Sequence, residues 1–201
     1  DVGDGVEARG GPCLVFVGGM ARNATGDRDA GLSGASREDI DGGLRHVSNL
    51  YRTARGERLA EKLVERTFAD RVFCCNSGAE ATEGAVKVVR RWARTTGGTA
   101  KHEIIALRGA FHGRLFGTLA ATDRPSYRAP FRPLAGGISI VERDLGEIDA
   151  ALNAETVAAW IVDPVQGEGV VRVLDGEFLR ALRAMTRPHR HAVILLEIPC
   201  G

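Results

Sequence analysis

From Glu57 onward the chain alternates between two apolar rhythms, one with helical spacing and one running unbroken for four to six residues. Leu59, Ala60, Leu63 and Val64 share one helical face, and Ala81, Ala85, Val88, Val89 and Trp92 recur at i, i+4, i+7, i+8 and i+11. Both spacings predict amphipathic helices, the second ended by Gly97-Gly98. Further helices are predicted over Leu115–Ala121, Leu145–Leu152 and Phe178–Met185. The runs Arg71–Cys75, Glu103–Leu107, Ile138–Val141, Val157–Val162 and Val193–Ile198 are bounded by turn residues and read as buried strands. Strands that alternate with helices and are apolar on both faces imply an α/β layer with a largely parallel sheet. Residues 1–45 resist this reading: they are glycine-rich and irregular, with an apolar run at Leu14–Val17 and a polar stretch around Thr25–Asp41.

In parallel sheets ligands gather at the carboxyl ends of strands. Three loops fall there: Asn76–Glu80, Gly109–Arg114 and Pro164–Gly169. In the first, Ser77 and Glu80 have the spacing of a capping box, in which each side chain satisfies the other's backbone N–H. That arrangement needs no ligand. The same turn nevertheless leaves the N–H groups of Gly78 and Ala79 unobstructed at the positive end of a helix dipole, the physical recipe for a phosphate seat. Its spacing is neither GxGxxG nor a P-loop, so dinucleotides and nucleoside triphosphates are poorly supported. The second loop sets Phe111, His112 and Arg114 together, an aromatic that could stack on a planar ring and a guanidinium that could clamp a carboxylate. Phe111 as core and Arg114 as a plain surface charge is the competing view. The third loop follows Asp163 and carries Gln166 and Glu168. A tight turn explains its glycines but not its polar load.

Composition narrows the classes. A formal net charge of +1, with 44% hydrophobic and 26% charged residues, gives no electrostatic footprint for nucleic acid or an anionic membrane. No apolar run approaches the ~18 residues of a membrane span, and no signal-peptide pattern opens the chain. Cys13, Cys74, Cys75 and Cys200 lack CxxC spacing, and neighbours on a strand point to opposite faces, so reduced structural thiols are expected and a metal site is not. His189-Arg190-His191 has no carboxylate or cysteine at ligand spacing and reads as a solvated helix end. The chain opens on Asp1 and stops at Gly201 directly after a strand-like run, which reads as truncation.

CNSGAEATEGAVK at 75–87, AFHGR followed by GTLAAT at 110–122, and DPVQGEG at 163–169 occur in this order, and together they resemble the class III aminotransferases. HVSNLY at 46–51 and LAEKLVERTFADRVF at 59–73 resemble those members that act on N-acetylornithine. The resemblance runs from about His46 to Gly201. It implies pyridoxal 5′-phosphate (PLP) as cofactor and the PLP-dependent transferase type I fold, with residues 1–45 partly in the small domain and 46–201 an incomplete large domain. It implies passage of an ω-amino group from N-acetylornithine to 2-oxoglutarate in arginine biosynthesis, with ornithine, succinylornithine or 4-aminobutyrate as alternative donors. The partners it implies are small amino and 2-oxo acids and a second copy of the chain in a homodimer, with neither nucleic acid nor membrane. The compartment would be the cytoplasm in a bacterium, and a mitochondrion or plastid in a eukaryote.

Carried over residue by residue, the resemblance assigns Ser77, Gly78, Ala79, Phe111, His112, Glu197 and Ile198 to the cofactor. Gly78 and Ala79 would hold its phosphate and Phe111 would stack on its ring. Arg114 would take the substrate's α-carboxylate, and Glu168 would stand at the substrate side as a gate between half-reactions. The sequence departs from the family where a strand should end on an aspartate that pairs with the pyridine nitrogen. Here Leu196-Glu197-Ile198-Pro199 stands instead, Pro199 replaces a glutamine, and Glu197 should face the opposite side from Leu196. The family's glycine–histidine–proline signature appears as Gly26-Asp27-Arg28-Asp29-Ala30, and Asp163 stands where glutamate is usual. None of Lys62, Lys87 and Lys101 matches the family's Schiff-base lysine, which would lie beyond residue 201. The 201 residues alone are therefore expected to be inactive, and a degenerate, non-catalytic relative is the reading of another class.

Overall fold

The computed structural model describes residues 6–8, 11–13, 25, 29–43, 50–168 and 171–198. The chain divides into two compact units, Asp1–Cys74 and Cys75–Gly201.

In the first unit, β1 (Val6–Ala8) and β2 (Gly11–Cys13) pair antiparallel, with Val6 opposite Cys13. Helix α1 (Ala30–Asp41) lies in the stretch that the sequence reading left irregular. It lacks an apolar stripe and buries no residue; what starts it is Asp29, whose carboxylate accepts from the Leu32 N–H at 2.7 Å. Helix α2 (Ala54–Arg66) begins three residues before the apolar period because Thr53 caps it, accepting from the Gly56 N–H. The Arg55 guanidinium bonds Asp39 at 2.6 Å, tying α2 to α1. The strand expected at Arg71–Cys75 does not form. These residues are irregular, without ladder partners among the described residues, and Phe73 is 78% exposed. An apolar run specifies a strand only when a neighbouring backbone supplies the ladder. The run Leu14–Val17, Gly26–Arg28 and most of the 46–51 motif lie outside the described residues.

The second unit bears out the alternation. Helix α3 (Gly78–Gly97) leads into β3 (Glu103–Leu107), α4 (Phe116–Ala121), α5 (Pro125–Arg128), β4 (Ile138–Val141), α6 (Leu145–Ala151) and β5 (Val157–Val162). A short antiparallel pair follows, β6 (Val165–Gln166) and β7 (Arg172–Val173), then α7 (Gly176–Thr186) and β8 (Ala192–Leu195). The four long strands form a parallel sheet in the order β4-β3-β5-β8. The last strand is shorter than expected, ending at Leu195, although the Leu196 N–H still donates to the Val162 carbonyl at 2.8 Å.

Alternation along the strands builds two cores. On one face Ile104, Ala106, Ala159, Ile161 and Leu196 pack with Val86 and Ala93 of α3 and Ala121 of α4. The alanines let α3 lie close against the sheet. On the other face Ile105, Leu107, Trp160 and Val162 pack with Ile148 of α6 and Leu182 of α7. A bulge between Glu103 and Ile104 skips Ala158 in the register, so Ala158 and Ala159 fall in the same core and Val157 and Trp160 in the other. No helix among the described residues is long and apolar enough to cross a membrane.

At the amino end of the sheet the solvated helix end expected at His189–His191 is corrected. His191 is only 2% exposed. Its Nδ1 accepts from Trp160 Nε1–H at 3.4 Å and its Nε2 donates to the Asn153 carbonyl at 3.1 Å, which fixes a neutral ring. Burial, with the charge of Lys101 adding to it, pushes His191 from its usual range down to about 4. Lys101, itself buried, donates from Nζ to the carbonyls of Ala154 and His189, and burial holds its pKa below the usual lysine range.

Candidate active site

The carboxyl end of the same sheet gathers the three loops. Ser77 is extended and caps α3, accepting from the Glu80 N–H at 3.2 Å. The return half of the box differs from the expected pattern: Glu80 Oε2 accepts from the Asn76 backbone N–H at 2.7 Å and its side-chain amide at 3.0 Å, not from Ser77. The N–H groups of Ser77, Gly78 and Ala79 consequently have no acceptor among the described residues. They stand at the positive end of a 20-residue helix. A Cβ on Gly78 would fall 2.7 Å from Ile198 Cδ1, so the residues after β8 close directly over the first turn of α3.

The loop after β3 reaches the same turn. Gly113, at φ +126°, approaches Ala79 so nearly that a Cβ there would lie 3.2 Å from the Ala79 Cβ and 2.8 Å from Thr118 Oγ1. A side chain would be strained by the dihedral and blocked by the contacts. The Phe111 N–H donates to Asp163 Oδ2 at 3.0 Å, joining the loop after β3 to the end of β5. His112, 1% exposed, donates its backbone N–H to Thr122 Oγ1. Its Nδ1 lies 3.3 Å from Asp163 Oδ1 without the alignment of a hydrogen bond, and neither ring nitrogen has a partner among the described residues. Arg114 is exposed, and its guanidinium lies over the Tyr127 ring, 4.7 Å from Cζ to centroid.

In the third loop Gln166 is buried and donates to the Arg108 carbonyl at 3.0 Å, with its Oε1 against Gly109. Glu168 is half-buried, and its carbonyl accepts from the Arg124 guanidinium. Leu196, 6% exposed, belongs to the apolar core under α3, whereas Glu197 is exposed. Pro199 lies outside the described residues. Thus the seat at Ser77–Ala79, Ile198, Phe111, His112 and Asp163 adjoin one another through the contacts above, and Glu197 is exposed.

The aminotransferase class-III sequence pattern matches residues 7–201. The chain belongs to that family. This class-III aminotransferase chain is 41% identical over 191 residues to an acetylornithine aminotransferase of Xanthomonas axonopodis pv. citri, covering 94% of this chain and 47% of the relative. It is 40% identical over 195 residues to a succinylornithine transaminase of Yersinia enterocolitica, again across 94% of this chain and 47% of that protein. Its fold superposes, with a TM-score of 0.86 and 26% identity, on an amine transaminase of an uncultivated Pseudomonas species in its PLP-bound form, covering 99% of this chain and 51% of the other. The chain therefore spans about half the length of the curated relatives it matches.

Several residues of the candidate site escaped the sequence reading. Glu83, on α3, accepts from the Thr118 N–H at 2.9 Å and so caps α4 across the loop. Asp123 accepts from the Gly109 N–H at 2.9 Å, Thr122 Oγ1 donates to the Gly113 carbonyl, and Tyr127 stands under Arg114. The Ser77–Glu80 spacing could be read locally; these partners are 9 to 35 residues from what they hold, and only the fold brings them together.

Proposed function

We propose that the protein carrying this chain transfers an ω-amino group from N-acetylornithine or a near relative to 2-oxoglutarate with PLP as cofactor. The observation that carries the reading is the set of free N–H donors at Ser77–Ala79 beside the Phe111–Arg114 loop, in a chain 41% identical to an acetylornithine aminotransferase. The donor set fits a phosphate dianion: three N–H groups on a helix start that are unpaired among the described residues, with no side chain on Gly78 to obstruct them. Phe111 and Ile198 would border the cofactor ring, Arg114 would take an α-carboxylate bidentately, and Glu168 would stand on the substrate side. PLP, when bound, supplies an electron-withdrawing ring that stabilises negative charge at the carbon bearing the amino group. A role in arginine biosynthesis and assembly as a homodimer follow from the same reading; the exposed Val88, Leu115, Phe116 and Phe131 are available for an interface.

The ring nitrogen is where the fit fails. Leu196 sits in an apolar core and offers no anion, and the neighbouring Glu197 is exposed. That observation favours a second reading, a relative that keeps the phosphate seat without amino transfer. The two separate in one experiment: PLP affinity by equilibrium titration together with N-acetylornithine-dependent glutamate formation. The first reading expects both; binding without turnover leaves the second. Gly78→Val should weaken PLP binding at least severalfold, because its branches meet Ile198 and cover the donors. An unchanged affinity would reduce the turn to a helix cap.

A further inference from the structure

The segment Thr122–Tyr127 touches two of the three loops of the candidate site, those after β3 and β5. Thr122 bonds His112 and Gly113, the Asp123 N–H donates to the Ala110 carbonyl at 2.8 Å, and Arg124 reaches Glu168. Pro125 opens the single turn of α5 and Tyr127 hangs from it. That ring makes two contacts at once. Phe111 meets it edge-on, with centroids 6.3 Å apart and planes at 81°, and the Arg114 guanidinium lies over its face at 4.7 Å.

An exposed arginine ordinarily wanders among many rotamers, and a ligand that binds it must bear the cost of ordering it. Stacking on an aromatic face removes much of that freedom beforehand. It also leaves the N–H fork around the guanidinium edge open, and among the described residues no carboxylate lies within ion-pair distance of Arg114. We propose that Tyr127 is a positioning residue whose ring face holds the Arg114 guanidinium beside Phe111 and so sets the affinity of the site for carboxylate-bearing substrates. The proposal rests on the reading above in which Arg114 receives the α-carboxylate.

The test compares Tyr127→Phe, which keeps the ring, with Tyr127→Leu, which keeps an apolar body and loses the π face. On the PLP-loaded protein, Tyr127→Leu should raise KM for both N-acetylornithine and 2-oxoglutarate roughly two- to fivefold, with kcat nearly unchanged. Tyr127→Phe should behave as the parent, and a primary-amine donor without a carboxylate should be indifferent to either change. Independently of turnover, phenylglyoxal should modify Arg114 faster in Tyr127→Leu than in the parent or Tyr127→Phe, read by peptide mass mapping. Equal KM and equal labelling in the two variants would overturn the proposal, as would a fall in kcat at constant KM. A parent protein that neither transfers amino groups nor binds 2-oxoglutarate overturns the functional reading itself. Faster labelling in Tyr127→Leu would then leave only the stacking contact, and its role in carboxylate affinity would fall with that reading.

Discussion

At the scale of the residue, Leu196 and Gly78 show how one position can satisfy the fold and constrain the chemistry. Leu196 contributes to a core of Val86, Ala121 and Ile161, where a carboxylate would be stripped of water with no cation in the cluster to pair with it. Leu196→Asp, the substitution that would restore the family's pattern, should therefore lower stability by about 3 kcal/mol or more in urea unfolding. A variant as stable as the parent would mean that the site opens to solvent. The sequence alone identified Leu196 as the odd residue, because its neighbours in the motif are legible. It could not show that the leucine is integrated into packing from two helices, since those contacts come from residues 75 to 110 positions away. The same limit hid Tyr127, an unremarkable residue until the fold puts Arg114 on its ring.

At the scale of the element, helix α3 was readable because three signals agreed: the Ser77 cap, the apolar recurrence at Ala81, Ala85, Val88, Val89 and Trp92, and the glycines at its end. The face it buries is nevertheless turned from that recurrence onto Val86 and Ala93, leaving Val88 and Trp92 exposed. Its cap also holds the phosphate seat in shape, so Ser77→Ala should cost about 1 kcal/mol of unfolding free energy and loosen PLP binding together. A stability loss with unchanged affinity would separate cap from seat. Helix α1 was missed for the opposite reason. Its glycines, serines and aspartates lack a stripe, and it is held by the Asp29 cap and the Arg55–Asp39 pair, neither visible as periodicity. The run Arg71–Cys75 failed in the other direction: its residues prefer a strand, but among the described residues no neighbour pairs with them. Where element and environment agree, as in β3, β4 and β5, the boundaries came out residue for residue.

At the scale of the whole molecule, the parallel sheet of the unit Cys75–Gly201 separates two kinds of polar chemistry. Its carboxyl end carries the candidate site, and its amino end carries a buried network that ties β3, β5 and β8 together. There the neutral His191 is faced by Trp160 Nε1–H, the Asn153 carbonyl, the Lys101 ammonium and the stacked His189 ring, while Arg183 bonds its carbonyl. Every charged neighbour is positive, so protonating His191 would set a second cation against Lys101 in a dry site. Its pKa in the fold, about 4, lies below the ordinary 6.5, so between those values the unfolded chain binds the proton and the folded chain does not. Stability is then complete above pH 6.5 and is lost as the pH falls toward 4, by up to about 3 kcal/mol. His191→Gln keeps a donor and an acceptor without a titrating nitrogen. It should start less stable at neutral pH but lose less on acidification, giving a flatter stability profile between pH 6.5 and 4 in urea unfolding at fixed ionic strength. Parallel profiles for parent and variant would show that acid acts elsewhere in the fold. If the profiles diverge as expected, acid sensitivity belongs to the end of the sheet remote from the Ser77–Ala79 seat.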